Sequence, residues 1–126
     1  MIRIYDGIVD RDTHITMSDK THIVEENNEM LGLFNTTPYD NKVIVDYELL
    51  PELRGKHLAT HLLDIIEDYI IDTSEVEEIL LLIKSDNEKS IKIATKNGYA
   101  IDHIFLEENI DELNSSKPYV KKLIKK

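Results

Sequence analysis

The chain has 126 residues, 41% of them apolar and 32% charged, a balance typical of a globular protein with one core. It has no cysteine, so disulfides and thiolate metal sites are excluded. The net charge is −10, and because the last ten residues carry five lysines and no acid, the other 116 carry −15. This charge disfavours nucleic-acid binding and suits a cationic partner.

The sequence gives no indication of a membrane segment. The longest apolar runs, such as "ILLLI" at Ile79–Ile83, are far too short to span a bilayer. The first residues, "MIRIYDGIVD", lack the charged-then-apolar layout of a signal peptide. Because no repeat, linker or low-complexity tract divides the chain, we expect one cytoplasmic domain over residues 1–126, without a membrane partner.

The N-terminal part reads as short strands separated by turns. The segments "MIRIYD" and "THITMS" are β-rich, and "THIVEE" and "EMLGLF" flank Asn27 and Asn28 as a hairpin. A turn is predicted at Thr36–Asn41 and a strand at Lys42–Leu50. Only twenty residues precede the hairpin, and they show no sustained helical stripe.

The clearest predicted helix follows a turn that begins at Pro51. Its apolar residues recur at helical spacing: Leu58, Ala59, Leu62, Leu63, Ile66, Tyr69 and Ile70. The run Ile79–Ile83 is apolar at every position, which predicts a central parallel strand buried on both faces. Strand, helix and strand in this order predict a βαβ unit.

A second helix and two further strands are predicted after this unit. Ser85 and Glu88 have the spacing of a capping box, and Gly98 occupies the position that ends a helix. The segment "YAIDHIFLEE" predicts a strand, and "KPYVKKLIK" predicts an exposed edge strand because it carries lysines on both faces. The expected fold is therefore a mixed α/β sheet with a β-α-β-α-β C-terminal core.

The turn before the first helix is basic. Arg54 and Lys56 flank Gly55 where the first amides of a helix lack partners and carry partial positive charge. Such a turn suits a phosphate, although neither a P-loop nor a dinucleotide-binding spacing is present. A helix start that is basic for no functional reason explains these residues equally well.

The first helix and its turn resemble a known motif. "VDYELLPELRGKHLATHLL" is similar to the pyrophosphate motif Q/R-x-x-G-x-G/A of the GNAT superfamily of acetyl-CoA-dependent N-acetyltransferases. Arg54 fills its first place and Ala59 its last, while His57 stands where a glycine is usual. The histidine Cβ narrows the space beside the phosphate, but its backbone N–H can still donate.

The second helix resembles the branch of this family that acetylates ribosomal-protein N-termini. Asn87 and Ser90 match its N-x-x-S element, and Lys96, Gly98 and Tyr99 match its K-x-G-[FY] element. The resemblance covers about residues 42–106. It implies a GNAT-like central twisted sheet with an abbreviated N-terminal helical region, and acetyl-CoA or coenzyme A as cosubstrate.

The resemblance also implies a set of donor-binding residues. The backbone of Tyr47 and Leu49 would pair with the pantetheine arm, and the Leu49 amide would face the thioester oxygen. Asn87 and Ser90 would contact coenzyme A from the second helix, although helix capping and a solvent-facing serine are the simpler interpretation. The pyrophosphate would be held by the turn residues Arg54, Gly55, Lys56, His57, Leu58 and Ala59.

The usual acid and base of the family are missing from their places. Ala94 stands where a tyrosine acid is common, and Ile44 stands near the place of a glutamate. Asp46 and Glu48 are the nearest replacement bases, with surface carboxylates as the competing interpretation. With the Leu49 amide and Ser90 they form the candidate catalytic set. Losing a positioned acid or base costs about 10²–10⁴ in rate.

The sequence also bears on a possible metal site and on the chemical class of the acceptor. His57 and His61, with Asp64 one turn on, could form a metal face, but a solvated helix side is the favoured interpretation and no metal is expected. The expected acceptor is a primary amine, on a protein N-terminus or a small cationic molecule. An open acceptor side would also allow completion by a second copy in a homodimer.

Two other functions are compatible with these residues. A coenzyme A-binding regulatory module without catalysis would explain Ala94 and Ile44. A small α/β interaction domain without a cofactor is disfavoured by the paired motifs. Acetyl transfer to an amine is the favoured function.

Overall fold

The computed structural model describes residues 1–6, 21–55 and 57–124. Within these ranges the strands are β1 (Ile2–Asp6), β2 (Thr21–Glu26), β3 (Glu29–Tyr39), β4 (Lys42–Leu49), β5 (Glu78–Lys84), β6 (Ala100–Ile101) and β7 (Ser116–Lys122). The helices are α1 (Ala59–Thr73), α2 (Glu88–Lys96) and α3 (His103–Glu108). The strands form one sheet in the order β1-β2-β3-β4-β5-β7-β6. The predicted mixed α/β fold is confirmed.

The β2–β3 hairpin forms at the predicted place. Asn27 and Asn28 have φ angles of 54° and 70°, the left-handed geometry that a two-residue hairpin loop requires. The predicted turn at Thr36–Asn41 is partly wrong, because β3 continues to Tyr39 and the chain reverses at Asp40 and Asn41. Pro38 is tolerated in β3 because its pair with Val43 lies at a register position without ladder hydrogen bonds.

The core lies between the sheet and α1. The apolar stripe of α1 buries Leu62, Leu63 and Ile66 completely against β-strand residues that include Phe34 and Leu81. β4, α1 and β5 form the predicted βαβ unit, with β4 and β5 parallel. Burial of β5 on both faces is only partly correct, because the Leu82 side chain is 41% exposed. Within the described residues, no helix is both long and apolar enough to cross a bilayer.

Three predictions for the C-terminal part are wrong in detail. Asn87, and not Ser85, caps α2, because its side chain accepts a hydrogen bond from the Ser90 amide. The segment predicted as one strand forms only the two residues of β6 and then α3, whose cap is the Asp102 side chain accepting from the Phe105 amide. β7 is not an edge strand, because it lies between β5 and β6.

Some predictions fall outside the described residues. They are the strand "THITMS", most of the abbreviated N-terminal helical region, and Lys56. Within the described residues 1–6, β1 (Ile2–Asp6) pairs with β2 in antiparallel fashion.

Candidate functional site

A gap opens in the sheet between its two parallel strands. β4 and β5 pair only at Lys42–Ile44 and then diverge. β4 continues beside β3 and β5 beside β7, so each strand is supported on its outer side. The gap is a cavity of about 180 Å³ whose lining includes Asp46, Tyr47, Leu82, Asn87 and Ser90. The partly exposed Leu82 gives one wall an apolar surface.

The register of β4 aims a row of amides into this gap. The Leu50 amide donates to the Leu31 carbonyl, and antiparallel ladders alternate, so even-numbered residues of β4 bond to β3. The N–H groups of Tyr47 and Leu49 therefore point toward the gap. Gly32 keeps the two strands this close, because a Cβ there would collide with the Glu48 carbonyl oxygen.

The turn before α1 has a backbone suited to close approach. Gly55 has φ 81° and His57 has φ 59°, both in the left-handed region. A Cβ on Gly55 would meet nothing within 4 Å, so the turn is open on that side. α1 starts at Ala59, and its N-cap residue Leu58 supplies no side-chain acceptor. The first amides of a 15-residue helix are thus left available.

Arg54 and Glu48 form an ion pair beside this turn. Arg54 Nη2 donates to Glu48 Oε1 at 2.7 Å, and both side chains are well exposed. The pair joins a residue predicted to bind a phosphate with a residue predicted as a base. In this structure, Arg54 and Glu48 are therefore each engaged in the ion pair with the other.

A groove of about 380 Å³ connects the turn with α2. One wall is the turn and the start of α1, including Gly55, His57 and Ala59. The other wall is α2, which contributes Lys89, Lys92, Ile93 and Lys96. From the sequence, Lys96 was singled out as part of the K-x-G-[FY] element, whereas Lys89 and Lys92 were missed, although the spacing of three and four residues is the signal for one helix face.

Asp46 differs from Glu48 in its surroundings. Its carboxylate lines the gap and makes no hydrogen bond or ion pair with any residue that the structure describes. Partial desolvation, and then the charge of Glu48, raise the pKa of Asp46. Asp46 and Glu48 alternate with Val45 and Leu49, which pack in the α1 core, so the two carboxylates project from the opposite face of the sheet.

The positions of the missing acid and base are filled by packing. Ala94 is fully buried in the core, and Ile44 packs with Leu80 against α3. His61, considered above as a metal ligand, contacts a carboxylate instead: its Nε2 lies 3.0 Å from a Glu26 carboxylate oxygen. No group of three or more metal-ligating His, Asp or Glu side chains occurs among residues 1–6, 21–55 and 57–124.

A buried polar cluster lies behind the gap. Glu67 of α1 accepts hydrogen bonds of 2.8 Å from the Tyr99 hydroxyl and from Lys121 Nζ. Burial and Glu67 raise the pKa of Tyr99, and the same two causes raise the pKa of Tyr47. Both phenols therefore stay protonated at neutral pH. This cluster could not be predicted from the sequence, because Tyr99 and Lys121 lie 32 and 54 residues from Glu67 along the chain.

A profile of the acetyltransferase (GNAT) family matches residues 4–99. The chain belongs to this family. The resemblance to the GNAT superfamily is thus confirmed.

The chain is similar in sequence to curated enzymes that are named for acetylating a polyamine. Spermidine N(1)-acetyltransferase of Escherichia coli is 27% identical in an alignment of 101 residues that covers 77% of this chain and 54% of that enzyme. The chain spans about half the length of the curated relatives it matches.

Solved GNAT structures share the fold. Spermidine N-acetyltransferase of Vibrio cholerae, in complex with CoA and spermine, has a TM-score of 0.67 at 15% identity, over 82% of this chain and 64% of that one. N-acetyltransferase PseH of Campylobacter jejuni, in complex with acetyl coenzyme A, has a TM-score of 0.66 at 15% identity, over 85% and 71%. RimL, a ribosomal L7/L12 α-N-protein acetyltransferase, has a TM-score of 0.61 at 16% identity, over 82% of this chain and 68% of that one.

Proposed function

We propose that this protein transfers an acetyl group from acetyl-CoA to the primary amine of a small cationic acceptor. The observation that carries the proposal is the gap between β4 and β5, which opens beside an uncapped α1. The gap offers a strand edge to an extended arm, and the helix start offers amides to a pyrophosphate. Membership of the GNAT family supports this assignment.

The donor would lie along β4 with its phosphates at the turn. The amides of Gly55, His57, Leu58 and Ala59 would hold the pyrophosphate, and the left-handed backbone at Gly55 and His57 would aim neighbouring amides toward one anion. The free N–H groups of Tyr47 and Leu49 would pair with the pantetheine arm. Asn87 and Ser90 line the far side of the gap, within reach of the same arm.

The reaction would rely on two groups of β4. The Leu49 amide would stabilise the negative charge that develops on the thioester oxygen. Asp46 would accept the proton of the attacking amine, and its raised pKa makes it a better base than an ordinary aspartate. Acetyl-CoA supplies a thiol leaving group with a reference pKa of about 8.5, which departs tolerably well without an acid. This chemistry does not need a tyrosine at Ala94.

The acceptor would approach the face that carries Asp46 and Glu48. The first 116 residues carry a charge of −15, which attracts cations over a distance. Spermidine acetyltransferases are the curated relatives, so a polyamine is the first acceptor to test. RimL, with the same fold, makes a protein N-terminus the second acceptor.

An acceptor panel tests the proposal. The protein is incubated with acetyl-CoA and spermidine, with a peptide that has a free α-amine, or with no acceptor, while thiol release and product mass are measured. The proposal expects acetylated spermidine and thiol release well above the acceptor-free rate. Acetylation of the peptide alone would replace the polyamine with a protein N-terminus. Binding of acetyl-CoA without transfer to any amine would favour a regulatory module.

A further inference from the structure

The gap divides the sheet into two sides that are joined at one end. The β4 side contains β1, β2, β3 and β4, and the β5 side contains β5, β7 and β6. Within the described strands, β4 and β5 pair only where Lys42–Ile44 meets Glu78–Leu80. Hydrogen bonds of the sheet therefore do not fix the width of the gap beyond Ile44. The element that packs on both sides is α1, since its core neighbours include Phe34 of β3 and Leu81 of β5.

Side chains of α1 bind it firmly to the β4 side. The Tyr69 ring packs edge-on to the Phe34 ring of β3, with the ring centres 5.8 Å apart. His61 Nε2 lies 3.0 Å from a carboxylate oxygen of Glu26 in β2. α1 and the β4 side therefore form one packed unit, and the width of the gap depends on how this unit contacts the β5 side.

Glu67 makes the polar contact between α1 and the β5 side. Its carboxylate accepts from the Tyr99 hydroxyl, which directly precedes β6, and from Lys121 Nζ of β7, each at 2.8 Å. Glu67 is 7% exposed and Tyr99 is 3% exposed, so water competes little for these bonds. Because β7 pairs with β5 along its whole length, a contact with Lys121 is a contact with the strand pair that forms the far wall of the gap.

The chemistry of this cluster suits a role in geometry more than a role in stability. Desolvation of Glu67 and Lys121 offsets much of their attraction, and apolar side chains of similar volume often stabilise a protein equally well. Apolar contacts such as those of α1 with Leu81 are non-directional. Hydrogen bonds hold their atoms within a narrow range of distance and angle. The two bonds of Glu67 can therefore fix a separation that apolar packing leaves adjustable.

We propose that Glu67 is a positioning residue that sets the width of the gap by holding Tyr99 and Lys121. This inference rests on the proposed function, because the thioester arm of the donor would lie in this gap. Glu67 would contact no reacting atom. It would keep the Leu49 amide and the Asp46 carboxylate of β4 at a constant distance from the opposite wall, and so act on the transfer step.

The triple variant Glu67→Met/Tyr99→Phe/Lys121→Met tests this role. It replaces the whole cluster with apolar side chains, so none of its polar groups is left buried without a partner. The Tm should stay within about 5 °C of the parent value, because such an exchange is often close to neutral in stability. The kcat for acetyl transfer to spermidine should fall about tenfold to a hundredfold, since a misplacement of about 1 Å can cost that much.

A second measurement needs no activity and no ligand. Asp46 of β4 and Leu82 of β5 line the gap from opposite walls. In a nitrogen-15 NMR spectrum of the free protein, the triple variant should shift the amide signals of both residues. A role confined to the packing around Glu67 would leave these two signals and the kcat of the folded variant unchanged.

A similar cluster that lies entirely on the β4 side provides the matched control. The Tyr5 hydroxyl donates to Glu25 at 3.0 Å, and Arg3 Nη1 lies 3.6 Å from the same carboxylate group. The variant Glu25→Met/Tyr5→Phe/Arg3→Met should keep the parental kcat and the parental signals of Asp46 and Leu82. An equal loss of kcat in this control would overturn the positioning role of Glu67.

A milder variant keeps the test decisive if the triple variant does not fold. Tyr99→Phe retains the contact between Glu67 and Lys121, and it should lower kcat and shift the gap signals in the same direction by a smaller amount. Parental kcat and unchanged gap signals in the folded variant would overturn the proposal. Failure of the parent protein to acetylate any amine would overturn the proposed function, and the gap signals would still decide whether Glu67 sets the width.

Discussion

Arg54 Nη2 and Glu48 Oε1 lie 2.7 Å apart, so a cation beside the turn at Gly55 is held by a carboxylate of β4. Arg54 cannot give its full charge to a phosphate while it pairs with Glu48. In the proposed donor site, binding of acetyl-CoA would therefore compete with this ion pair. Asp46, two residues earlier, has no such partner among the described residues.

The first prediction concerns this competition. Glu48→Gln should tighten coenzyme A binding about twofold to fivefold, because Arg54 no longer has to break an ion pair before it contacts the ligand. The size of the effect corresponds to the free energy of an exposed ion pair. Calorimetric titration of the parent and the variant measures the change. Arg54→Gln is the control and should weaken binding. Weaker binding by Glu48→Gln would show that Glu48 supports the donor site.

The second prediction assigns the base. Asp46→Asn should lower kcat by about 10²–10⁴, whereas Glu48→Gln should lower it much less. Glu48 contributes to the raised pKa of Asp46, so Glu48→Gln should move the acidic limb of the pH–rate profile to lower pH. Rate measurements between pH 5 and 9 check both effects. Equal losses in the two variants would argue against Asp46 as the sole base.

The third prediction concerns stability at the same residue. A carboxyl group whose pKa is raised by folding binds its proton more tightly in the folded state, so its contribution to stability falls as pH rises through that pKa. Asp46→Asn should therefore raise the Tm slightly at neutral pH, and the gain should vanish in acid. The gain is small because Asp46 is exposed. A lower Tm at neutral pH would contradict the raised pKa.

The fourth prediction isolates charge at the turn. Gly55→Glu should abolish the thermal stabilisation given by acetyl-CoA, because a carboxylate at the open side of the turn repels the pyrophosphate. Gly55→Gln carries the same bulk and the same left-handed strain without the charge. It should retain part of the stabilisation. Equal loss in both variants would mean that space, and not charge, decides binding.

Much of the fold follows from local sequence, but its long-range pairings do not. The apolar stripe of α1 and the Asn27–Asn28 turn each act within a few residues, and both were predicted correctly. The segment after Gly98 was misjudged because its alternation resembles a strand, whereas the Asp102 cap and packing of Phe105 on Leu80 stabilise a helix. Tertiary contacts decide such a short segment.

The candidate site was predicted from motifs and completed by geometry. The turn at Gly55 and the β4 residues follow from their order in the chain. The Arg54–Glu48 pair could not be predicted, because it depends on how the end of β4 and the turn face each other. Lys89 and Lys92 were overlooked because their place in the groove depends on how α2 packs beside the start of α1.

The most direct measurement is an NMR titration of the nitrogen-15-labelled protein with acetyl-CoA and, separately, with coenzyme A. Both ligands should shift the amide signals of Gly55, Leu58 and Ala59, which would locate the pyrophosphate at the turn. The Leu49 amide should shift further with acetyl-CoA than with coenzyme A, because only the thioester brings a carbonyl oxygen to that N–H. Shifts confined to other surfaces, or an identical Leu49 response to both ligands, would contradict the proposed donor site.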